Sequence, residues 1–288
     1  MSRAAQTYTL VADDGEPIDC LQWSGDAPVR AVVQIAHGMG EHPGRYDWVA
    51  AQFAAAGFAV HANAHRGHGE REAGRGRLGD FGPRGFAGLV SNMAIVSAHA
   101  RMQHPGAPLI LLGHSMGSFA AQLYLLDHGA QLAGAALSGT AALDLLKAGR
   151  PPGWRLEDAN GGLPTRTPFD WLSRDEAVVD RYIADPLCGF STTVDSRASM
   201  FAACERCCRV DELRRIPAEL PLYLFTGDND PVNDRLAWFH PLAARYREAG
   251  LRDVSTHVYG GARHEVLNET NRAEVVANLL AWIERVIA

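Results

Sequence analysis

The sequence has no apolar run approaching the roughly 18 residues that a bilayer-spanning helix needs. Its first residues, Met1 to Thr7, lead into Tyr8-Thr-Leu-Val-Ala12 without the apolar segment of a secretory signal. A basic excess is also missing. Lysine and arginine total 27 against 33 aspartates and glutamates, a net charge of -6, which argues against nucleic acid as a partner. The arginines between Arg71 and Arg77 are interleaved with Glu72 and glycines, just after Glu70, and read as a solvated loop rather than an anion site. Cysteine is scarce: there are five, an odd number, and Cys204, Cys207 and Cys208 crowd one expected helix instead of forming a spaced framework. They read as buried thiols in a reducing cytoplasm, without the second ligand pair that a metal cluster needs. No internal repeat or low-complexity tract stands out.

What the chain does have is bulk and apolar content. With 288 residues, 47% of them apolar, it can build one large α/β core, or a core with a modest insertion. Tyr8 to Ala12 and Ile18 to Trp23, separated by Asp13-Asp14-Gly15-Glu16-Pro17, read as an antiparallel hairpin. Ala31 to Ala36, Phe58 to Ala62, Leu109 to Leu112 and Leu132 to Leu137 are nearly continuous apolar runs, as strands buried on both faces of a parallel sheet are. Helix-length stretches lie between them: Tyr46 to Ala56, Gly85 to Gln103 and Met116 to His128. The alternation implies a sheet covered by helices on both faces. It stops after Thr140. From about Ala141 to Ile216 there are prolines, glycines and two amphipathic stretches, Trp171 to Ala184 and Ala198 to Leu213, which predict a mainly helical insertion. The sheet pattern resumes at Leu222 to Thr226 and Val254 to Tyr259, and a last helix is expected from Ala273 to Ile287.

The strand at Leu109 runs into Gly113-His-Ser115-Met-Gly117 and then into a helical register. A G-x-S-x-G motif has chemical meaning in that strand-turn-helix setting, where flanking glycines let a sharp turn expose the serine hydroxyl. Ser115 is therefore the candidate nucleophile. A serine hydroxyl needs a base, and the base needs a carboxylate on its other ring nitrogen. The fold in which a G-x-S-x-G serine sits between a strand and a helix takes serine, acid and histidine in that chain order. His37, His42, His61, His65 and His68 come too early, and His257 lies within a strand. His264, beyond the last strand and the turn Gly260 to Arg263, remains. Two aspartates compete for the acid in Gly227-Asp228-Asn-Asp230-Pro231. Asp230 is preferred because Pro231 fixes the chain after it, and Asp228 reads as a turn residue bonding its own backbone. The oxyanion donors expected are the Met116 amide, at the start of a helix, and the Met39 amide in the loop His37-Gly-Met-Gly40. His61, His65 and His68 invite a metal, but a strand and the loop after it would need an unusual turn to share one, and no metal is expected.

The runs His37-Gly-Met-Gly-Glu-His42, Gly44-Arg-Tyr46, Arg66-Gly-His-Gly69, Gly113 to Gly117, Leu172-Ser-Arg-Asp175, Asp185-Pro-Leu-Cys188, Asp230-Pro-Val232, Gly261-Ala-Arg-His-Glu265 and Asn268-Glu269 resemble the monoacylglycerol lipase and lysophospholipase branch of the α/β hydrolases. The resemblance extends over nearly the whole chain. It implies an α/β-hydrolase fold with residues 1–140 and 217–288 as core and 141–216 as a helical cap. It implies Ser115, Asp230 and His264 as catalytic residues, Met39 and Met116 as oxyanion donors, and Glu41 and Arg45 as braces of the oxyanion loop. The implied substrate is a single-chain acyl ester, with no cofactor. Leu145, Leu146, Trp154, Phe169, Trp171 and Phe201 are candidates for an acyl tunnel or for plain cap packing, and an exposed apolar cap helix would allow transient contact with a membrane surface. Short-chain esterase or acyl-transfer activity is the alternative within the fold. A non-catalytic ligand-binding protein is the alternative of another class, and it predicts loss of a triad member. Ala64 and Arg71 depart from the pattern, which usually has aspartate and serine there.

Overall fold

In the computed structural model, residues 5–150, 155–160 and 165–288 are described. Strands β1 (Gln6–Val11) and β2 (Pro17–Trp23) form the hairpin, and β3 (Ala31–Ala36) begins the parallel part of the sheet. Then come α1 (Asp47–Ala55), β4 (Phe58–Asn63), a short α2 (Gly69–Gly74), α3 (Gly85–Gln103), β5 (Leu109–His114), α4 (Met116–His128) and β6 (Gly134–Ser138). Between β6 and the next strand the described residues hold only helices: α5 (Leu143–Gly149), a 3-10 turn at Leu156–Asn160, α6 (Glu176–Ala184), α7 (Val194–Cys204) and α8 (Val210–Leu213). The chain ends with β7 (Leu222–Gly227), α9 (Phe239–Glu248), β8 (Val254–Tyr259) and α10 (Arg272–Ile287). No helix among the described residues is long and apolar enough to cross a membrane.

The eight strands form one sheet in the order β1-β2-β4-β3-β5-β6-β7-β8, antiparallel only where β2 meets its neighbours. Successive side chains of a strand point to opposite faces, and the central strands supply two cores in that way. Leu111, Leu137, Leu222 and Leu224 face α4, α9 and the helical insertion. Ile110, Leu112, Tyr223 and Phe225 face Phe53 of α1 and Leu279, Trp282 and Ile283 of α10. The chain leaves β3 toward β4 and then returns past it to β5. Direction reverses there, so the loops after β3 and β5 diverge at the carboxyl edge and open a crevice.

The doubly covered α/β sheet is the expected architecture, and three local expectations change. Residues 69–74 form a helix, not a loop, with Arg71, Arg75 and Arg77 paired to Asp19, Glu16 and Glu72. The helix expected from Trp171 starts only at Glu176, capped by the Asp175 carboxylate, because the backbone of 171–174 is engaged elsewhere. Trp171 and Leu172 accept bonds from the amides of His264 and Glu265, and the Arg174 amide donates to Glu269. The second stretch is split, with α7 capped by Thr193 and ending at Cys204.

Phe225 is fully buried and stacks on Tyr223, whereas the Arg30–Glu284 pair lies at the surface with side chains 53% and 42% exposed. Phe225→Ala is expected to cost about 3–5 kcal/mol and Arg30→Ala less than about 1 kcal/mol, as read from urea unfolding midpoints.

Candidate active site

At the end of β5 the chain turns so sharply that Ser115 sits at φ 52°, ψ -122°. A non-glycine residue held there costs about 1–3 kcal/mol. Close packing holds it: the Ser115 amide donates to the Ser138 carbonyl at 2.9 Å, and its own carbonyl accepts from the Ser118 and Phe119 amides. A Cβ on Gly113 would lie 2.6 Å from the Gly117 carbonyl oxygen, and one on Gly117 would strike the backbone of Ala36 and His37. Only glycine fits at either position. Met116 is the first residue of α4, so its N–H has no intrahelical acceptor and lies at the positive end of the helix dipole.

Opposite this turn runs the loop after β3. The Gly38 amide donates to the Glu41 carboxylate, the Gly40 amide to His68 Nε2 at 3.2 Å, and the Gly40 carbonyl accepts from Gly189. The amides on both sides of Met39 are thus committed, and the Met39 side chain lines a cavity with Ser115. Glu41 also accepts from the Tyr46 hydroxyl (2.8 Å) and from Arg45 (2.7 Å), whose guanidinium forks onto Glu265. Burial drives the Glu41 carboxyl up, but Arg45 and the bonds from Gly38 and Tyr46 prevail and hold it below its ordinary value. Burial opposes the Arg45 charge, and Glu265 and Glu41 more than restore it.

His264 follows β8 and is buried. Its Nδ1 lies 2.9 Å from both oxygens of Asp230, which makes Nδ1 the protonated nitrogen and leaves a lone pair on Nε2. Nε2 is buried and has no hydrogen-bond partner among the described residues. The ring packs against Trp171 and His114, and Gly139 lies so close that a Cβ there would come within 2.8 Å of Cε1. Asp230 also accepts from the Val232 amide, Thr226 and Asn233. Burial raises its carboxyl, but His264 and these bonds bring it below its ordinary value. Asp228, expected to bond its own backbone, instead accepts from the Gly261 amide at 2.7 Å and ties this loop to the histidine loop.

Ser115 opens into a cavity of about 250 Å³ whose wall includes Met116, Phe119, Leu146, Trp171 and Phe201. Of the other tunnel candidates, Leu145 and Phe169 pack against the core cluster outside this wall, and Trp154 lies outside the described residues.

The sequence reading missed the long-range partners. Glu265, directly after the histidine, is the acceptor that fixes Arg45; the acid beside His264 was the available signal. Buried Glu269 collects the amides of Arg263, Arg174 and Thr270 and the Arg174 side chain. His65 and His68 pack with His37 rather than His61. His37 donates from Nδ1 to the Gly38 carbonyl and accepts the His65 amide on Nε2, and His68 bridges the Arg66 carbonyl to the Gly40 amide in the same way. These rings act as neutral clamps on the backbone. Burial lowers His37 and His68 to about 3, and it also drives His65 down.

A mostly parallel sheet with a serine on the tight turn after its fifth strand, and a histidine–aspartate pair beyond later strands, defines an α/β hydrolase. A family model described as serine aminopeptidase, S33, matches residues 27–271, and the chain belongs to that family. It is 30% identical to a monoacylglycerol lipase of Mycolicibacterium smegmatis, over 91% of this chain and 90% of that protein. It is 29% identical to the monoglyceride lipase of Homo sapiens, over 90% and 84%. Among solved structures, a thermostable carboxyl esterase from Bacillus coagulans, in complex with glycerol, superposes with a TM-score of 0.88 at 29% identity, covering 99% of this chain and 100% of that one. The chain is a serine hydrolase of the lipase and esterase type.

Two outcomes follow from the buried charges. Arg45→Ala strands two buried carboxylates and should cost about 3–5 kcal/mol in chemical denaturation. The buried histidines have folded values below the ordinary 6.5, so between pH 6.5 and about 3 the unfolded chain binds more protons than the folded one. Their stabilisation is complete above pH 6.5 and is lost as pH falls, by roughly 1 kcal/mol per histidine per pH unit. A melting temperature that stays level from pH 7.5 to 5 would contradict this.

Proposed function

We propose that the protein hydrolyses single-chain carboxylic esters through an acyl-enzyme on Ser115. The observation that carries the reading is the His264–Asp230 pair: it leaves a buried Nε2 without a hydrogen-bond partner among the described residues, in a ring packed on Trp171, which lines the same apolar cavity as Ser115. Ser115 Oγ bonds to the ester carbonyl carbon as its proton passes to His264 Nε2. Asp230 holds the ring and stabilises the imidazolium. The amides of Met39 and Met116 take the charge on the carbonyl oxygen, with Glu41 and Arg45 fixing the loop that carries Met39. The carbon–oxygen bond to the alcohol breaks, and His264 gives the alcohol its proton. Water then attacks the acyl-enzyme by the same route, returning a proton to Ser115 and releasing the acid.

The substrate we propose has a medium or long acyl chain, as in a monoacylglycerol or lysophospholipid. The apolar wall of the cavity and the relatives named monoacylglycerol lipase support this. In this reading residues 141–216 form a cap, and exposed Ile183 and Val194 on it offer a transient foothold on a lipid surface. The likeness to the Bacillus coagulans carboxyl esterase favours a second reading, a short-chain esterase.

Initial rates on monoacylglycerols and p-nitrophenyl esters of increasing acyl length separate the two. Wild type is expected to prefer medium or long monoacylglycerols, and Ser115→Ala to lose about 10⁴-fold or more in kcat. Activity confined to short activated esters would leave the serine mechanism standing and remove the lipid substrate.

A further inference from the structure

The cavity at Ser115 is apolar over most of its wall, yet three cationic side chains reach it: Lys147 in α5, Arg150 just past that helix, and Arg197 in α7. Among the described residues no aspartate or glutamate lines it. This concentration runs against the charge of the chain, which is net -6. Lys147 is also the single lysine in a sequence with 26 arginines.

The three are held differently. Lys147 pairs with Glu205 at 3.2 Å, with both side chains more than half exposed, a weak and screened contact from which the ammonium can turn. Arg150 lies over the Trp238 ring and donates to the Pro231 carbonyl at 2.6 Å; burial works against its charge, and Asp230 and Asp234, outside the cavity wall, partly offset that. Arg197 is half-buried in α7, a helix that packs against α5. A guanidinium offers a planar fork to two oxygens and an ammonium offers a rotatable point charge, a set that matches phosphate or carboxylate. In surroundings poor in water such charge-assisted bonds are stronger than neutral ones.

We propose that the preferred ester carries an anionic group, a phosphate or a carboxylate, which Lys147, Arg150 and Arg197 hold at the cavity wall while the ester carbonyl lies at Ser115. The inference rests on the ester-hydrolase reading above and narrows its substrate class. The competing explanation is that the three side chains only lay their aliphatic stems along the cavity and keep their charges in water.

The test compares kcat/KM for three esters with acyl chains of equal length, kept below their aggregation concentrations. These are a neutral monoacylglycerol, the corresponding acylglycerol phosphate, and a glycerol monoester whose acyl chain ends in a carboxylate. At least one anionic ester is expected to exceed the neutral one by about tenfold. That ratio should shrink toward one in a Lys147→Gln, Arg197→Gln double variant and in high salt. Preference for the phosphate puts the anion on the alcohol side, and preference for the carboxylate puts it at the acyl end. If the double variant does not fold, acetylation of wild type neutralises its one lysine side chain and reads the same ratio. Equal or better turnover of the neutral ester, or a preference that survives both charge removals, overturns the proposal and leaves the hydrolase reading intact. Cleavage of none of the three, nor of a p-nitrophenyl ester of the same chain, removes the hydrolase reading and the proposal with it.

Discussion

Arg45 stands between two buried carboxylates that belong to different loops, and the shape of both loops depends on it. Taking ions out of water costs several kcal/mol each unless every oxygen and proton finds a partner. Here every carboxylate oxygen does: Glu41 is bonded by Gly38, Tyr46 and Arg45, and Glu265 by Arg45 and Asn268. A network with so much at stake tolerates little displacement. Through Glu41 it sets the loop that carries Met39, and through Glu265 it sets the residue next to His264. The gap between those loops, where a substrate carbonyl would lie, is therefore fixed by one guanidinium that takes no part in the proposed chemistry.

The sheet delivers these loops to one place. The reversal of direction around β3 brings the ends of β3 and β5 side by side, and β7 and β8 continue the same edge. Close backbone approaches then set the heights of the turns. Gly117 meets the backbone of Ala36 and His37, and Gly227 meets that of Ala262. The Asn229 amide reaches the Ala262 carbonyl, and Asp228 reaches the Gly261 amide. The strained backbone of Ser115 persists because its surroundings over-determine it.

Much of this was legible in the sequence wherever a local rule governs. Gly85–Gln103, Met116–His128 and Val254–Tyr259 have the ends expected for them. The close packing that Gly113 permits, against Gly117 and Ser118, is local as well. What could not be read depends on residues far apart in the chain. The segment from Trp171 has the amphipathic pattern of a helix, and tertiary backbone bonds to His264 and Glu265 override it. Neutral histidines that bridge backbone groups leave no period or spacing to detect, so the clamps made by His37 and His68 were not legible, and the closeness of His65 and His68 in the chain suggested a metal instead. The partner of Asp228 was invisible for the same reason: Gly261 is brought to it by the pairing of β7 with β8.

The bonds that join residues 171–174 to the histidine loop bear on how the insertion can be exchanged between proteins. A graft cut at the ends of β6 and β7 would remove Arg174, which pairs with buried Glu269, and Ser173, which bonds the Asn268 carbonyl. The recipient scaffold would then hold a buried carboxylate without its cation. In engineering terms the modular boundary lies near Glu176, where α6 begins. The residues before it belong with the histidine loop, although more than eighty positions separate them in the chain.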